Sequence, residues 1–357
     1  MRTVFRGKRV SAILGVLPEK EGLFDEEAGN YTFPVSQTMR LKRVMGFDRH
    51  RLSKESTTVS DFAVRGLNHM LAEGWIRKEE IGAVVVVTMC PDHFVPHVSN
   101  IVQGECDLPH EVVCLDVAQG CTGYIVGLME AFLLLDHLEA GKKVVLINGD
   151  VLLHRISRQD RNEYPVIGDA AALSIVENTG TDEPVWMDLK MDGSRRECLM
   201  IPAGGFRMPC SPETGEMKDW GDGNIRSLDQ MNMDGTEVMN FVMREIPPLV
   251  EGLYEWSGMD PAETAWYLFH QPNRFILDKL AVRMKVEKAR MPMDLVAKIG
   301  NPSGASIPLV TALDLREAFL EKAYPCCLCG FGTGLAFGAM LMNFGGFDRC
   351  EMLETDL

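Results

Sequence analysis

Cys121 is the side chain of this sequence best placed to act as a nucleophile. It lies in Asp116-Val-Ala-Gln-Gly-Cys-Thr-Gly123, between an apolar run that predicts a strand and a run that predicts a long helix. A cysteine at the start of a helix lies near the positive end of the helix dipole, which favours the thiolate and lowers the pKa of the thiol. The flanking glycines let a substrate carbonyl approach the backbone amides. The alternative is a buried cysteine that packs at a strand end, because free cysteines are common in protein interiors.

Two other segments carry polar side chains that suit the same chemistry. His270 stands in Leu268-Phe-His-Gln-Pro-Asn-Arg274, where a strand-like run ends in a polar cluster. Asn301 stands in Gly300-Asn-Pro-Ser-Gly-Ala-Ser-Ile-Pro308, a loop of small residues that opens a helix. By itself, His270 is as consistent with a core histidine as with a group that acts in catalysis. Asn301 by itself is consistent with a turn residue.

Strands and helices alternate around these segments. In the first half, strands are predicted at 81–89, 111–117, 142–148 and 170–176, and helices at 60–73 and 122–137. In the second half, helices are predicted at 236–256, 274–285 and 306–323, the last interrupted at Pro308, and strands at 263–269, 326–328 and 335–342. A polar segment, 178–234, separates the halves. This alternation predicts an α/β fold with mostly parallel central sheets, and two similar halves fit a duplicated fold.

Composition excludes several classes of function. The 357 residues include 36 basic and 51 acidic side chains, so the net charge is −15. A dedicated nucleic-acid binder needs a basic face to neutralise phosphates, which this balance disfavours. The apolar runs are far shorter than the roughly 18 residues that a membrane-spanning helix requires. We therefore expect neither a nucleic-acid partner nor a membrane partner.

The cysteines indicate the compartment. Ten cysteines are scattered through a long chain, which predicts reduced thiols rather than a secreted disulfide scaffold. The apolar run from Val10 to Leu17 is short and ends at Pro18, so we interpret it as a first strand and expect a cytoplasmic protein. Cys326-Cys-Leu-Cys329 lacks the second ligand pair of a usual zinc site. A buried strand is favoured there, and no metal is expected.

In combination, the segments resemble the β-ketoacyl-acyl-carrier-protein synthase III family of the thiolase superfamily. The likeness spans nearly the whole chain, and nine segments follow one another in the family's order. These segments are Val44–Arg51, Pro91–Pro96, Asp116–Gly123, Gly149–Leu152, Ile167–Ala171, Met233–Val238, His270–Asn273, Gly300–Ser306 and Gly330–Leu335. The resemblance implies a thiolase-like fold with two similar βαβαβαββ halves, residues 1–177 and 178–357, in five α-β-α-β-α layers. The first half would carry the nucleophile, and the second would carry His270 and Asn301.

The resemblance also implies a mechanism. Cys121 would attack an acyl thioester and hold the acyl primer covalently, which divides one difficult condensation into two easier steps. The backbone amides of Cys121 and Thr333 would stabilise the tetrahedral oxyanion. A malonyl thioester would then lose CO₂, and His270 and Asn301 would act as neutral donors to the enolate oxygen. The substrates would be acyl-CoA or acyl-carrier thioesters, and no cofactor is implied.

Further positions are carried over from the family motifs. Asn273, Val95 and Arg43 are expected to contact substrate, where Val95 would cross the interface of a homodimer and close the partner's acyl pocket. Lys279 and Arg283 share one face of a helix at i, i+4 spacing and are expected to dock the acidic acyl carrier protein. Arg43 lies beside Val44, which stands where some members have an arginine that binds the CoA adenine.

Three alternatives remain open in different degrees. A thiolase would need a second reactive cysteine in the last glycine turn, where in register this sequence has Gly330, and Cys329 is one residue away. A specialised acyltransferase or a hydroxymethylglutaryl-CoA synthase-like enzyme is harder to separate by sequence. A non-catalytic partner subunit would lack the nucleophile, which this chain retains at Cys121. The primer, the extender and the pathway (fatty acid or secondary metabolite) are not given by the sequence.

Overall fold

The computed structural model describes all residues from 1 to 357. Its strands are β1 Arg2–Arg6, β2 Lys8–Pro18, β3 Glu21–Leu23, β4 Arg49–Arg51, β5 Ile81–Val87, β6 Val113–Val117, β7 Lys143–Asp150, β8 Ala170–Asn178, β9 Pro184–Met191, β10 Leu199–Met200, β11 Lys218–Asp219, β12 Ile225–Arg226, β13 Asn232–Met233, β14 Trp266–Phe269, β15 Ala323–Gly332, β16 Ala336–Gly345 and β17 Arg349–Thr355. Its helices are α1 Phe24–Glu27, α2 Val35–Met45, α3 Val59–Ala72, α4 Val98–Glu105, α5 Gly123–Leu135, α6 Gly235–Ser257, α7 Arg274–Met284, α8 Leu295–Ile299, α9 Ser306–Asp314 and α10 Arg316–Glu321.

Two sheets form the body of the fold. The first sheet has the order β17-β2-β8-β7-β5-β6, in which β5 is parallel to both β6 and β7. The second sheet has the order β1-β9-β16-β15-β14, in which β14 and β15 are parallel. Strand β5 reads Ile-Gly-Ala-Val-Val-Val-Val and is buried along its whole length. This is the expected pattern for a parallel strand that is covered on both faces.

The two sheets repeat one topology. Strands β2, β8, β7 and β5 correspond in order and direction to β9, β16, β15 and β14. The terminal strands depart from a simple division of the chain, because β1 joins the second sheet and β17 joins the first. The expected boundary after residue 177 falls at the end of β8, and neither sheet is confined to one side of it.

Helices complete five layers. Helices α5 and α9 lie between the two sheets, where α5 contacts β7 and β5 of the first sheet and β15 and β16 of the second. Helices α3 and α4 cover the outer face of the first sheet, and α6 covers the outer face of the second with α7 packed on it. The predicted thiolase-like α/β fold with an α-β-α-β-α arrangement is therefore confirmed. The prediction of mostly parallel sheets was wrong, because β8 pairs antiparallel with β2 and β7, and every pair of the second sheet except β14 and β15 is antiparallel. No helix is both long and apolar enough to cross a membrane.

Two local predictions were wrong. The segment 178–234 is not only a separator, because β9 within it pairs with β1 and β16 and buries Val185, Met187 and Leu189. Pro308 does not interrupt its helix, which instead ends before Leu315. A proline in the first turn is tolerated because the N–H groups there have no acceptor within the helix.

Candidate active site

Cys121 lies on the turn that joins β6 to α5. The turn is closed by the N–H of Gly123, which donates to the carbonyl of Gly120 at 2.6 Å. The last residue of β15, Gly332, faces the thiol. A Cβ at position 332 would lie 3.0 Å from Cys121 Sγ and closer still to Cys121 Cβ. The end of β15 can therefore approach the Cys121 turn this closely only with glycine at position 332.

His270 follows the last residue of β14 and is held from two sides. Its backbone N–H donates to the carbonyl of Cys329 at 2.8 Å, and its ring nitrogen Nδ1 lies 2.8 Å from Ser306 Oγ. The N–H of Gln271 donates to the same Ser306 oxygen at 3.4 Å, so the hydroxyl proton of Ser306 is free to be donated to Nδ1. When Ser306 donates this proton to Nδ1, the neutral imidazole carries its own proton on Nε2, and Nε2–H is then a donor.

Asn301 begins the small-residue loop that precedes α9. Its side-chain oxygen Oδ1 accepts from the N–H of Ser303 at 3.0 Å, which fixes the orientation of the amide. The NH₂ group is therefore the part of the side chain that remains for a ligand. The backbone of Asn301 is anchored as well, because its N–H donates to the carbonyl of Val166 at 2.6 Å and its carbonyl accepts from Gly168 at 3.2 Å.

Ser303 brings the three segments together. Its backbone has a positive φ of 51°, a conformation that non-glycine residues rarely adopt. Its Oγ lies 4.0 Å from Cys121 Sγ, its N–H donates to Asn301 Oδ1, and its backbone acts to raise the pKa of the His270 ring, against the effect of burial. The residues that the sequence suggested separately thus meet around one serine.

The side chains of Cys121, His270 and Asn301 line one cavity of about 490 Å³. Its wall is mostly apolar, and its polar members besides the three include Thr333, Asn273, Arg161 and Glu163. Apolar lining residues include Met89, Leu152, Ile167, Leu199, Met231 and Phe331. A largely apolar cavity with a few convergent polar groups is the usual form of a small-molecule site.

Burial determines the protonation states of Cys121 and His270. It raises the pKa of the Cys121 thiol to about 12, against the opposing effect of the Ser303 hydroxyl and the backbone amides of Cys121 and Thr333. Burial also lowers the pKa of His270 to about 3, so the imidazole is neutral at physiological pH. The expected lowering of the Cys121 pKa was wrong, because the loss of solvation on burial raises it.

A buried carboxylate interacts with Cys121. Asp150 accepts from the Thr88 hydroxyl at 2.9 Å and from the N–H of Met89 at 2.8 Å. Burial raises its pKa to about 6, and these hydrogen bonds oppose the shift. Its negative charge contributes to the raised pKa of Cys121.

Two family models match the chain in the regions that carry this site. The model of 3-oxoacyl-[acyl-carrier-protein (ACP)] synthase III matches residues 115–193, and the model of its C-terminal part matches residues 255–344. A putative 3-oxoacyl-[acyl-carrier-protein] synthase 3 of Campylobacter jejuni is 29% identical over 346 residues, which are 96% of each chain. The β-ketoacyl-[acyl-carrier-protein] synthase III of Latilactobacillus sakei is 27% identical over 302 residues, 84% of this chain and 89% of the relative.

A solved structure agrees with these matches. The 3-oxoacyl-(acyl-carrier protein) synthase from Burkholderia xenovorans superposes with a TM-score of 0.90 at 26% identity, and the match covers 99% of both chains. The chain belongs to the β-ketoacyl-acyl-carrier-protein synthase III family. It is a condensing acyltransferase that acts on acyl thioesters, as the members of the synthase III family are.

In this synthase III fold, some of the other residues that were expected to contact substrate line the cavity, and the rest lie outside it. Asn273 and Thr333 line the cavity. Asn273 also caps α7, because its Oδ1 accepts from the N–H of Ile276 at 2.9 Å. Arg43 is exposed and faces a different surface depression, and Val95 is 78% exposed and lies outside the cavity of its own chain.

The cavity mouth contains an arginine that sequence reasoning missed. Arg161 lines the cavity, and its guanidinium carbon lies 3.3 Å from the centre of the Phe33 ring. Ser303, Ser306 and Asp150 were also missed as site residues. All three lie inside segments that resemble the family, Gly300–Ser306 and Gly149–Leu152, and these segments could have identified them. Their residue types alone do not indicate a functional site.

The thiols of Cys326, Cys327 and Cys329 do not line the cavity. Cys326, Cys327 and Cys329 are buried in β15, in the strand that the sequence predicted. No three His, Cys, Asp or Glu side chains come together in a way that would hold a metal ion.

Proposed function

We propose that Cys121 takes an acyl primer from a thioester and that the enzyme joins this primer to a malonyl-acyl-carrier-protein extender by decarboxylative Claisen condensation. The observation that carries the proposal is the set of contacts that Ser303 makes to Cys121, His270 and Asn301 in one apolar cavity. The pathway is fatty-acid biosynthesis or the biosynthesis of a related secondary metabolite.

The first half-reaction transfers the primer. The sulfur of Cys121 forms a bond to the thioester carbonyl carbon, the bond from that carbon to the carrier sulfur breaks, and the thiol proton ends on the leaving carrier thiol. The intermediate carries a negative oxygen. The amides of Cys121 and Thr333 suit this oxyanion, because both already interact with the thiol in the sense that favours negative charge.

The second half-reaction forms the carbon–carbon bond. The bond between the malonyl carboxylate and the α-carbon breaks, CO₂ leaves, and the electron pair moves into the thioester to form an enolate. His270 Nε2–H and the NH₂ group of Asn301 donate to the enolate oxygen. The enolate carbon then attacks the acyl carbon on Cys121, and the bond to sulfur breaks. Neutral donors suffice, because decarboxylation itself supplies the carbanion.

The exposed face of α7 suits an acidic carrier protein. Lys279 and Arg283 are exposed and make no ion pair, whereas Arg274 and Lys288 are paired with acidic residues of their own chain. We propose that Lys279 and Arg283 form the docking surface. Charge reversal of these two residues should slow condensation with the carrier-bound extender far more than acylation by acyl-CoA. Reversal of the paired Lys288 is the matched control.

The second partner is another copy of the same chain. Phe94 is 67% exposed, Val95 is 78% exposed, and Phe206 is 90% exposed with its ring 5.2 Å from that of Phe94. A large exposed apolar patch of this kind is typical of an interface. We propose a homodimer that covers it. Sedimentation at micromolar concentration should give a dimer, and a fully active monomer would contradict this part of the proposal.

Intact-mass spectrometry tests the central proposal. Incubation with short, branched, long and aromatic acyl-CoA and acyl-carrier thioesters should add the acyl mass, and Cys121→Ala should abolish the addition. His270→Ala and Asn301→Ala should still be acylated but should release far less CO₂ from the malonyl thioester.

Each alternative has its own result in the same experiment. No adduct on Cys121 with any donor would indicate a non-catalytic subunit. Acylation without CO₂ release or condensation would indicate a specialised acyltransferase. If both alanine variants lose acylation as severely as decarboxylation, the assigned division of roles is wrong.

A further inference from the structure

Glu163 is a buried carboxyl group in the wall of the cavity that the two half-reactions leave unused. It is 2% exposed and lines the cavity, and its Oε2 has no hydrogen-bond partner. A buried polar atom without a partner is costly, so one that lies in the wall of a cavity is a candidate for contact with a ligand.

The neighbouring charges do not neutralise Glu163. The cation that acts on Glu163, Arg226, pairs with Asp160 at 3.2 Å and with Asp222 at 3.0 Å. Burial is the largest cause that raises the pKa of Glu163, to about 8. The charges of Asp160 and Asp222 act in the same direction, while Arg226 and the backbone of Met233 oppose them. The group is therefore mainly a neutral carboxylic acid at pH 7, and it carries an O–H donor.

The position of Glu163 along the cavity limits what it can bind. The preceding residue, Asn162, is exposed, and Arg161 before it is half-buried, and both line the same cavity. Glu163 therefore lies near the mouth, in the outer part of the passage to Cys121. Any thioester that reaches Cys121 from the surface has to place its carrier arm, and not its acyl chain, in this outer part.

We propose that the protonated carboxyl of Glu163 donates a hydrogen bond to a carbonyl of the carrier arm, at the amide farther from the thioester sulfur. This inference rests on the proposed function, because it assumes an amide-bearing carrier arm. Glu163 is then a positioning residue that acts on the donor and the extender alike. The proposed contact does not involve the inner amide, next to the sulfur.

Binding to the Cys121→Ala protein tests the inference without any turnover. Hexanoyl-pantetheine has both amides, and hexanoyl-N-acetylcysteamine has only the inner one. We expect Glu163→Leu to weaken binding of the pantetheine thioester about tenfold, the usual effect of one hydrogen bond. Binding of the N-acetylcysteamine thioester should be unchanged. Glu163→Leu removes a buried polar group, so thermal melting should show a protein at least as stable as the parent.

A pH series separates a hydrogen bond from a shape effect. In the Cys121→Ala protein, affinity for the pantetheine thioester should be constant below about pH 8 and should fall above it, as Glu163 loses its proton. Glu163→Gln keeps a neutral donor and should bind with a similar affinity that does not depend on pH in this range.

Several results would overturn the inference. These are unchanged binding of the pantetheine thioester to Glu163→Leu, equal weakening of both ligands, absence of binding to the parent, and the same pH profile in Glu163→Gln as in the parent. The proposed function has a separate readout, the acyl adduct on Cys121 in the unmutated enzyme. A normal adduct with no effect of Glu163 on binding would overturn this inference alone.

Discussion

Replacement of Gly332 by alanine should disable the nucleophile while the fold persists. The added methyl carbon would lie 3.0 Å from Cys121 Sγ and closer still to Cys121 Cβ. Optimal contacts between non-bonded carbon atoms lie at about 3.5–4.0 Å. Because Gly332 is in β15, paired with Ala336 of β16, the turn that carries Cys121 has to yield by at least about 1 Å to restore a normal contact with Cys121 Cβ.

The expected effects differ in size between activity and stability. A misplacement of about 1 Å costs a reaction on the order of a hundredfold, because the reacting atoms must meet in a narrow geometry. An extra methylene in a packed interior destabilises a protein by about 1–3 kcal/mol. Since folded domains have about 5–15 kcal/mol of stability, Gly332→Ala should remain folded. Acylation of Cys121 should slow by about a hundredfold.

The assay is the rate of Cys121 acylation by intact mass, with a denaturant melt for stability. Gly104→Ala is the matched control, because Gly104 is an exposed residue of α4 whose added Cβ meets no atom within 4 Å. The control should acylate at the unmutated rate and should be at least as stable as the unmutated protein. If Gly332→Ala is acylated at the unmutated rate, Cys121 does not need glycine at position 332, and the reasoning is refuted.

Three further predictions concern protonation and the pocket. Ser306→Ala removes the hydroxyl beside His270 Nδ1 and should lower CO₂ release about tenfold with little change in acylation; equal losses would contradict the tautomer assignment. Because burial raises the Cys121 pKa to about 12, the logarithm of the alkylation rate with iodoacetamide should rise about one unit per pH unit from pH 6 to 10; a plateau near pH 7 would show a stabilised thiolate. Primers longer than acetyl should be preferred, and Val95→Phe should shift the preference toward acetyl, since each buried methylene contributes about 0.8 kcal/mol; an unchanged chain-length profile from acetyl to octanoyl would contradict it.

Local patterns were sufficient to predict the elements that hold the site. The apolar run of β5 and the strand-to-helix transition around Cys121 appear in the structure within a few residues of the predicted limits. The order of the family segments was sufficient to predict that Cys121, His270 and Asn301 face one cavity. These predictions succeed because each depends on a short stretch of sequence or on a resemblance that spans the chain.

Other features depend on contacts between distant residues. Strand β17 pairs with β2, and β1 pairs with β9, so the exchange of terminal strands has no local signature. Likewise, the role of Ser306 depends on its place beside His270, which is 36 residues away in sequence. The pKa of Cys121 could not be predicted from the helix alone, because its direction depends on how completely the folded chain excludes water.

One physical cause explains the choice of side chains at the centre of the site. Enclosure in an apolar cavity raises the pKa of Cys121 and lowers that of His270, and in both cases it favours the neutral form. A charged donor would be poorly maintained in such a place, whereas a neutral imidazole held by Ser306 and an amide held by Ser303 keep their donors at any physiological pH. The same enclosure strengthens each hydrogen bond to a developing negative charge. In the proposed mechanism, negative charge is therefore stabilised mainly where the reaction creates it, on the oxyanion and the enolate oxygen, rather than on the resting thiol.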